Sequence, residues 1–252
     1  MKISVIIPTH NRVDLLERAI KSVLNQTLED IEIIVVDDAS SISTKNFINS
    51  FNGSIIYHRF ETNQGANVCR NKGVSLSSFS FIAFLDDDDT WEVNKLEKQF
   101  NLMNSRNIDL CYTGKNIIYM DENLRIEKQR YSFANPKNNN LSNSIMKSNF
   151  IGTTSSIMLR KSKFLEIGGF DIVMPSLQDY EFYIRFISCN FSVEGINEPL
   201  VNYYIYKGEA AISKSLKKGL KSSIILFKKN KKVSLFVKLL ISLVKMNLKK
   251  IL

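Results

Sequence analysis

Apolar runs that stop abruptly at polar clusters, with helical patterns between them, constrain this chain more than any other feature. Ile3–Ile7 ends at Pro8, Ile31–Val36 ends in Asp37 and Asp38, and Phe79–Leu85 ends in Asp86, Asp87, Asp88 and Asp89. Such continuous runs suit strands buried on both faces. Between the first two, Val13, Leu16, Ala19, Ile20, Val23 and Leu24 recur at helical spacing behind a cap at Thr9 or Asn11. A short amphipathic segment around Phe47 and Ile48, a strand at Ser54–Tyr57 and a helix at Ala66–Leu76 complete the alternation. This order predicts a parallel sheet in a three-layer α/β domain. Ligands bind such sheets at the carboxyl ends of the strands, where Pro8-Thr9, Asp37-Asp38 and the four aspartates all fall.

Four adjacent carboxylates need compensation, since each neighbouring pair repels by roughly 1 kcal/mol even in water. One reading is a solvated turn capping a helix that begins near Trp91. Another is a cation site, because clustered hard oxygens suit Mg²⁺ or Mn²⁺. An EF-hand is excluded: with Asp86 as the first loop position, Trp91 takes the sixth, where the sharp turn needs Gly. No G-x-G-x-x-G follows the first strand and no G-x-x-x-x-G-K-[ST] occurs anywhere, against a dinucleotide fold or a P-loop.

The net charge of +9 over 252 residues suggests nucleic acid until it is located. Residues 207–252 hold thirteen Lys against one acidic residue, Glu209, so the rest of the chain is mildly acidic. Cys69, Cys111 and Cys189 form no C-x-x-C and read as buried thiols of a reducing compartment. The chain opens directly on a strand, without a signal-peptide pattern, and has no run of about 18 apolar residues. A cytoplasmic protein is expected.

The second half is less regular. Asp109–Met120 predicts a strand or hairpin, Asn135–Asn143 an Asn-rich loop, Ile151–Leu159 a strand, and Gly168–Asp171 (GGFD) a tight turn. In Leu177–Phe186, Tyr180, Tyr183 and Ile184, with Ile187, mark one helical face. Gln178, Asp179 and Glu181 fall at that helix's start, where carboxylates are stabilised by free amides, so an N-terminal cap is the plain reading.

Taken in order, VIIPTHNR, VVDDAS, NQGANVCRNKG, FIAFLDDDD, IGGFD and QDYEFYIRF resemble the family 2 glycosyltransferases, over roughly Ile3–Tyr206. The resemblance implies a GT-A type, Rossmann-like α/β/α domain over 1–206 with a mostly parallel central sheet. It would comprise a nucleotide-sugar-binding half (1–120) and an acceptor-binding half (121–206). It implies transfer from a nucleotide sugar, a UDP-sugar, to a hydroxyl of a growing or lipid-linked glycan, with inversion of the anomeric centre and with Mn²⁺ or Mg²⁺. Pro8, Thr9, His10, Asn11 and Arg12 match the segment that holds the nucleotide. Asp38 matches the carboxylate that reads the base, Asp37 serving to cap or orient the next helix. Arg70, in C-R-N, is expected near the phosphates, where a guanidinium offers several donors. Asp86 or Asp87 is expected at the ribose, Asp88 with Asp86 at the metal, and Asp89 as a helix cap. Asp179 is expected as the base that deprotonates the acceptor, with Glu181 in reserve.

Two departures stand out. Gln178 precedes Asp179 where members commonly have an acid, and Tyr203-Tyr204-Ile205-Tyr206-Lys207 lacks the His many members carry there. Lys207 could supply the missing positive charge.

Beyond 206 the expectation is a basic amphipathic helical tail. In Val233–Leu252, Lys238, Lys245 and Lys249 line one stripe opposite Leu235, Phe236, Leu239, Leu240 and Leu243. That pattern suits an anionic membrane surface at the inner face of the cell membrane. A helix packed on the domain, or on a second copy in a homodimer, remains the alternative. Nucleic acid is disfavoured, since the tail has few aromatics and no Arg. Richness in Lys, Asn and Ile resembles proteins of AT-rich bacterial genomes and fits capsule or lipopolysaccharide assembly. Two other functions compete. A sugar-phosphate nucleotidyltransferase would need a Gly-rich loop where this chain has Pro8-Thr9-His10-Asn11-Arg12. A catalytically inactive nucleotide- or glycan-binding subunit would bind UDP without turnover.

Overall fold

A computed structural model describes residues 2–41, 44–51, 55–133, 135–136, 140–207 and 216–230. Strands β1 (Ile3–Thr9), β2 (Ile31–Asp37), β3 (Ile55–Arg59) and β4 (Phe81–Phe84) pair in parallel in the order β3-β2-β1-β4. The helices α1 (Val13–Leu24), α2 (Thr44–Asn49) and α3 (Ala66–Leu76) connect them. Strand alternation divides the apolar side chains between two cores. Ile3, Val5 and Ile7 of β1 and Ile33 and Val35 of β2 face Leu16, Ala19, Ile20 and Val23 of α1. Ile6, Ile34, Val36, Ile82 and Phe84 face Cys69 and Val74 of α3 on the other side. The sheet is therefore the middle layer of three, as the buried runs predict.

Past β4 the sheet becomes mixed. Strand β8 (Ile157–Arg160) pairs antiparallel with β4 and with β6 (Leu110–Met120), which runs parallel to β9 (Val193–Tyr206). Strand β7 (Ile126–Ser132) forms a hairpin with β6, and of the two readings offered for Asp109–Met120 the single strand is the one observed. The short β5 (Thr90–Trp91) pairs with β9, completing nine strands among the described residues. Helix α4 (Lys95–Arg106) joins the α1 side, while α5 (Leu141–Lys147), α6 (Lys161–Glu166) and α7 (Gln178–Ser188) join the α3 side.

Four expectations are corrected. The helix near Trp91 starts instead at Lys95, because Thr90 and Trp91 are held as a strand against Asn202 and Val201. Asp89 therefore caps nothing. The strand expected over Ile151–Leu159 is shorter: Thr154–Ser156 is a 3-10 turn whose buried hydroxyls turn inward, and β8 starts at Ile157. Cys69 and Cys111 are buried thiols, but Cys189 is exposed, just past the end of α7. The third strand, expected to end at Tyr57, runs on to Arg59 in register with Asp37 of β2, and Ser54 lies outside the described residues.

The tail reading divides. Over α8 (Leu216–Asn230) the helix is built into the domain. Leu226 is fully buried in the α3-side core, Ser222 Oγ accepts from the Ser176 amide at 3.0 Å, and Lys229 pairs with Glu181 at 2.6 Å. The amphipathic pattern of Val233–Leu252 lies outside the described residues.

Candidate active site

The turn after β4 answers how four adjacent carboxylates are tolerated. Their side chains alternate: Asp87 and Asp89 are buried, while Asp86 and Asp88 are half-buried. Each has a partner. Arg70 from α3 pairs with Asp86 at 2.6 Å, and Thr154 Oγ1 donates to the same carboxylate at 3.0 Å. Arg12, at the start of α1, reaches both Asp87 (2.8 Å) and Asp88 (2.9 Å). Thr9 Oγ1 donates to Asp87 at 2.8 Å. Ser155 Oγ donates to Asp89 at 2.6 Å while accepting from the Asp86 amide at 3.1 Å. Arg18 Nη2 donates to the Asp88 carbonyl at 2.7 Å and its guanidinium stacks on Tyr204 at 3.9 Å.

Burial and charge then separate the four acids. Burial works against ionised Asp86, but Arg70 and Thr154 overcome it and hold the group below the usual carboxylate range. Burial pushes Asp87 up to about 7 in spite of Arg12. It pushes Asp89 well above the carboxylate range, with Asp88 and Asp86 adding to the rise. Asp87 thus turns inward to fix Thr9 and Arg12 rather than outward to a ribose, which corrects the expectation for that residue. Pro8 and Thr9 are likewise buried. Thr9 joins the turn after β1 to Asp87 through its hydroxyl and to Asp38 through its carbonyl.

At the ends of β1 and β2 the remaining expected residues meet. Asp38 donates its amide to the Thr9 carbonyl at 2.8 Å, and its carboxylate accepts from the amides of Gln64 (2.6 Å) and Gly65 (2.9 Å). Asp38 therefore ties down the loop entering α3. His10 Nδ1 lies 2.7 Å from the Asp38 carbonyl, leaving the exposed ring at the rim. Asn11 and Ala39 take left-handed backbone, φ 56° and 60°, at these two strand ends. Such strain persists only where surrounding contacts enforce it. Asn11 Oδ1 supplies one, accepting from the Ser41 amide at 2.7 Å. Asp37 has the orienting role expected: although burial opposes its charge, Ser40 and Tyr57 hydrogen bonds hold it below the usual range.

The second half contributes Asp179 and three groups that were not foreseen. Asp179, in the first turn of α7, is half-buried, and burial raises its carboxyl above the ordinary value against the fields of Lys115 and Arg70. Asn149 Nδ2 donates to it at 3.3 Å. Lys115 from β6 lies over the Tyr203 ring at 4.7 Å, and the Tyr203 hydroxyl feels Asp89, Asp88, Asp86 and Asp179. Lys115 of β6, Tyr203 of β9 and Asn149 were missed as site residues because a lone Lys, Tyr or Asn has no spacing that marks it. The run Thr153-Thr154-Ser155-Ser156 did carry a signal: small hydroxyls directly ahead of a buried strand.

Glu181 is removed as a reserve base. It is 1% exposed and bidentate to Arg185, 2.8 Å to each oxygen, with Lys229 at 2.6 Å. Arg185 in turn donates to the carbonyls of Ile167 and Gly169, both at 2.7 Å. Asn71 of α3 grips Phe170 from the other side, accepting from its amide at 2.9 Å. Those bonds give IGGFD its place: Gly168 and Gly169 have φ of 78° and 71°, and a Cβ at Gly169 would sit 2.7 Å from Asn71 Oδ1. Lys207 is not beside the aspartates. It is 62% exposed, 3.9 Å from Glu122. Gln178 Nε2 donates back to the Met174 carbonyl at 3.2 Å.

Comparison with known proteins fits this arrangement to a family. The profile described as Glycosyl transferase family 2 matches residues 4–168, which include every strand-end cluster of the site, with Asp179 of α7 and Tyr203 of β9 lying beyond it. The chain belongs to this family. It is a glycosyltransferase with a GT-A-like fold. It is 29% identical over 220 residues to the putative teichuronic acid biosynthesis glycosyltransferase TuaG of Bacillus subtilis, spanning 84% of this chain and 82% of that one. It is 40% identical over 119 residues to the Escherichia coli UDP-Glc:alpha-D-GlcNAc-diphosphoundecaprenol beta-1,3-glucosyltransferase WfgD, 46% of each chain. Among solved structures, Staphylococcus aureus TarS residues 1–349 in complex with UDP-GlcNAc superposes with a TM-score of 0.66. That match covers 99% of this chain and 73% of that one, and at 18% identity it speaks for the fold. Among the described residues no helix is long and apolar enough to cross a membrane.

Proposed function

We propose that this glycosyltransferase moves a sugar from a UDP-sugar to a hydroxyl of a growing or lipid-linked glycan, inverting the anomeric centre, in surface-polysaccharide synthesis. The donor and acceptor classes follow the names of its relatives, one of which uses UDP-glucose and a diphosphoundecaprenol-linked sugar. The observation that carries the reading is the alternation in Asp86–Asp89, which leaves Asp86 and Asp88 half-buried at the strand ends in the electrostatic neighbourhood of Asp179 and Arg70.

His10, Asn11 and the loop held by Asp38 frame the nucleotide at the strand ends, and Arg70 with Arg12 offers guanidinium donors toward the diphosphate. The family implies a divalent ion, and the donor set fits one. Asp86 and Asp88 present only hard carboxylate oxygens, and Mg²⁺ is commonly held by one or two carboxylates with substrate phosphates completing the shell. No group of three or more acidic, His or Cys ligands forms among the described residues, so substrate oxygens have to complete it. Asp86 and Asp88 would hold such an ion, which would supply positive charge toward the departing diphosphate. Asp179 takes the proton of the attacking hydroxyl, and its raised pKa improves it as a base near neutral pH. The outward face of α8, with Lys217, Lys221 and Lys228 around Leu220 and Ile224, suits contact with an anionic cytoplasmic membrane surface where lipid-linked acceptors reside.

The test is the melting temperature of the protein with UDP, with and without Mn²⁺, since a ligand that binds only the folded state raises it. We expect a metal-dependent rise that Asp88→Ala abolishes, and loss of transfer in Asp179→Asn with the rise intact. A UDP response indifferent to both metal and Asp88→Ala would sink the metal assignment.

A further inference from the structure

The ribbon formed by β7, β6 and β9 carries a line of cations that the donor site does not use. Ile117 of β6 stands between Arg130 of β7 and Tyr203 of β9, and Tyr119 stands between Lys128 and Ile205. Residues paired across strands share a face, as do residues two apart on one strand. Lys115, Arg130 and Lys128 therefore lie on one face with Tyr203 and Tyr119. That face begins at the cleft. Thr90, next after Asp89, pairs with Asn202 beside Tyr203. Lys115 Nζ lies 4.7 Å over the Tyr203 ring and would be 3.8 Å from a Cβ at Gly152, whose carbonyl accepts from Asn149 Nδ2, the donor to Asp179. The opposite face is already taken: Asn116 Nδ2 donates to Asn202 Oδ1 at 3.1 Å, and Tyr204 lies under the Arg18 guanidinium at 3.9 Å. Arg130 and Lys128 are exposed, while Lys115, Tyr119 and Tyr203 are half-buried. None of the three cations forms an ion pair among the described residues. The acid of β7, Glu127, is the residue left unpaired where the β6–β7 register shifts, beyond Lys128 from the cleft.

We propose that this ribbon face is an acceptor subsite for an anionic glycan, a chain carrying carboxylate or phosphate groups along its length, which lies along β7 and enters the cleft past Lys115. The inference deepens the glycosyltransferase reading and rests on it. Side chains two residues apart on a strand are about 7 Å apart, so Lys115, Arg130 and Lys128 are strung outward from the cleft one row at a time. That spacing fits charges repeated along a chain better than the two adjacent phosphates of a lipid-linked diphosphate. Arg130 offers a planar fork of donors to a carboxylate or phosphate, while the two Lys act as point charges. Tyr119 and Tyr203 stand among the cations with partly exposed rings, each an apolar body with a polar tip, which suits sugar surfaces. The charge is also local. Residues 1–206 are mildly acidic as a whole, so within that body a polyanion is repelled from most of the surface and favoured on this strip.

The experiment is calorimetric titration of the full chain, at saturating UDP and Mn²⁺ so that the donor site is filled, with hexagalacturonate, with a glycerol-phosphate hexamer and with neutral maltohexaose. We expect an anionic hexamer to bind, the tighter of the two naming carboxylate or phosphate as the group that is read, and maltohexaose to bind about tenfold more weakly or worse. In the double substitution Lys128→Glu and Arg130→Glu the affinity should fall about tenfold or more, since each reversal removes an attraction and adds a repulsion. Lys217→Glu with Lys221→Glu on α8 makes the same change in net charge and should leave the affinity within about threefold of wild type. The UDP-induced melting shift should be the same in all three proteins. Should the ribbon reversal fail to fold, Lys128→Gln with Arg130→Gln should still lose about threefold or more. No binding of either anionic hexamer, equal binding of maltohexaose, or equal losses in the ribbon and α8 variants overturns the inference. So does geranyl diphosphate that binds as tightly as the hexamers and responds to the same reversal, which would make the strip a site for a single lipid-linked diphosphate. Absence of a UDP-induced melting shift in wild type instead overturns the donor reading, so the two failures are separable.

Discussion

Asp179 and Glu181 are two residues apart in the same first helical turn, yet their surroundings give them opposite work. Asp179 is half-buried, with Asn149 as its side-chain donor. Glu181 is sealed between Arg185 and Lys229 and, through Arg185, fastens the GGFD turn to α7. Removing its charge leaves Arg185 without its anion and Lys229 with Asp171 alone, so Glu181→Gln should cost about 2–3 kcal/mol, as for hydrogen bonds to charged groups. That lowers the melting temperature by roughly 5–10 °C for a chain of this size. Turnover per folded molecule should persist; loss of turnover at unchanged stability would return Glu181 to the list of bases. The sequence could not separate these acids, because both satisfy the rule for an N-terminal carboxylate. The resemblance pointed to the right region, but the division of labour lies in partners 4 and 48 residues away from Glu181. Asp87 repeats the lesson: in a row of four identical residues, only the backbone direction tells which face the cleft.

At the scale of elements, the parallel half was legible and the mixed half was not. The helix expected over Ala66–Leu76 has those bounds, and the first two strands extend only one or two residues further. Long apolar runs report burial on both faces, whatever the neighbours do. The segment 148–156 carries no period, since its hydroxyls are buried for the sake of Asp86 and Asp89, and a strand reading was the natural error. Gly73 shows how closely the legible half is packed. It lies where α3 crosses β1, and a Cβ there would fall 2.3 Å from Ile6 Cγ2. Helix propensity favours Ala over Gly by about 1 kcal/mol, but overpacking costs about 1–3 kcal/mol. The clash should win because Ile6 is fully buried in the middle of the sheet. Gly73→Ala is expected to lower the denaturation midpoint in urea with an unchanged slope. An equal or higher midpoint would mean that α3 can lift from β1 without loss.

For the whole molecule, the charge is divided so that an acidic catalytic body ends in a basic segment, thirteen Lys against one Glu from 207 onward. Helix α8 shows how part of that charge is displayed. Ser222, Ser223 and Leu226 face inward, while Lys217, Lys221 and Lys228 flank Leu220 and Ile224, which are 42% and 38% exposed. Cations beside partly exposed apolar side chains match an anionic bilayer surface, where each Lys contributes about 1 kcal/mol within a Debye length. They match a purely polar partner less well. The wild-type protein should co-sediment with phosphatidylglycerol vesicles in dilute buffer but not with phosphatidylcholine vesicles. Release should follow at roughly 0.5 M salt, where screening shortens the field to a few ångströms. The double substitution Leu220→Glu and Ile224→Glu inserts two anions into the stripe without touching the inward face. It should weaken vesicle binding by about tenfold or more, each lost Lys-equivalent being worth about 1 kcal/mol, while the UDP-induced melting shift stays as in wild type. Binding that ignores lipid charge would exclude an electrostatic contact. Charge-dependent binding that survives the double substitution would move the contact away from α8, leaving the domain free to orient its cleft independently of the surface.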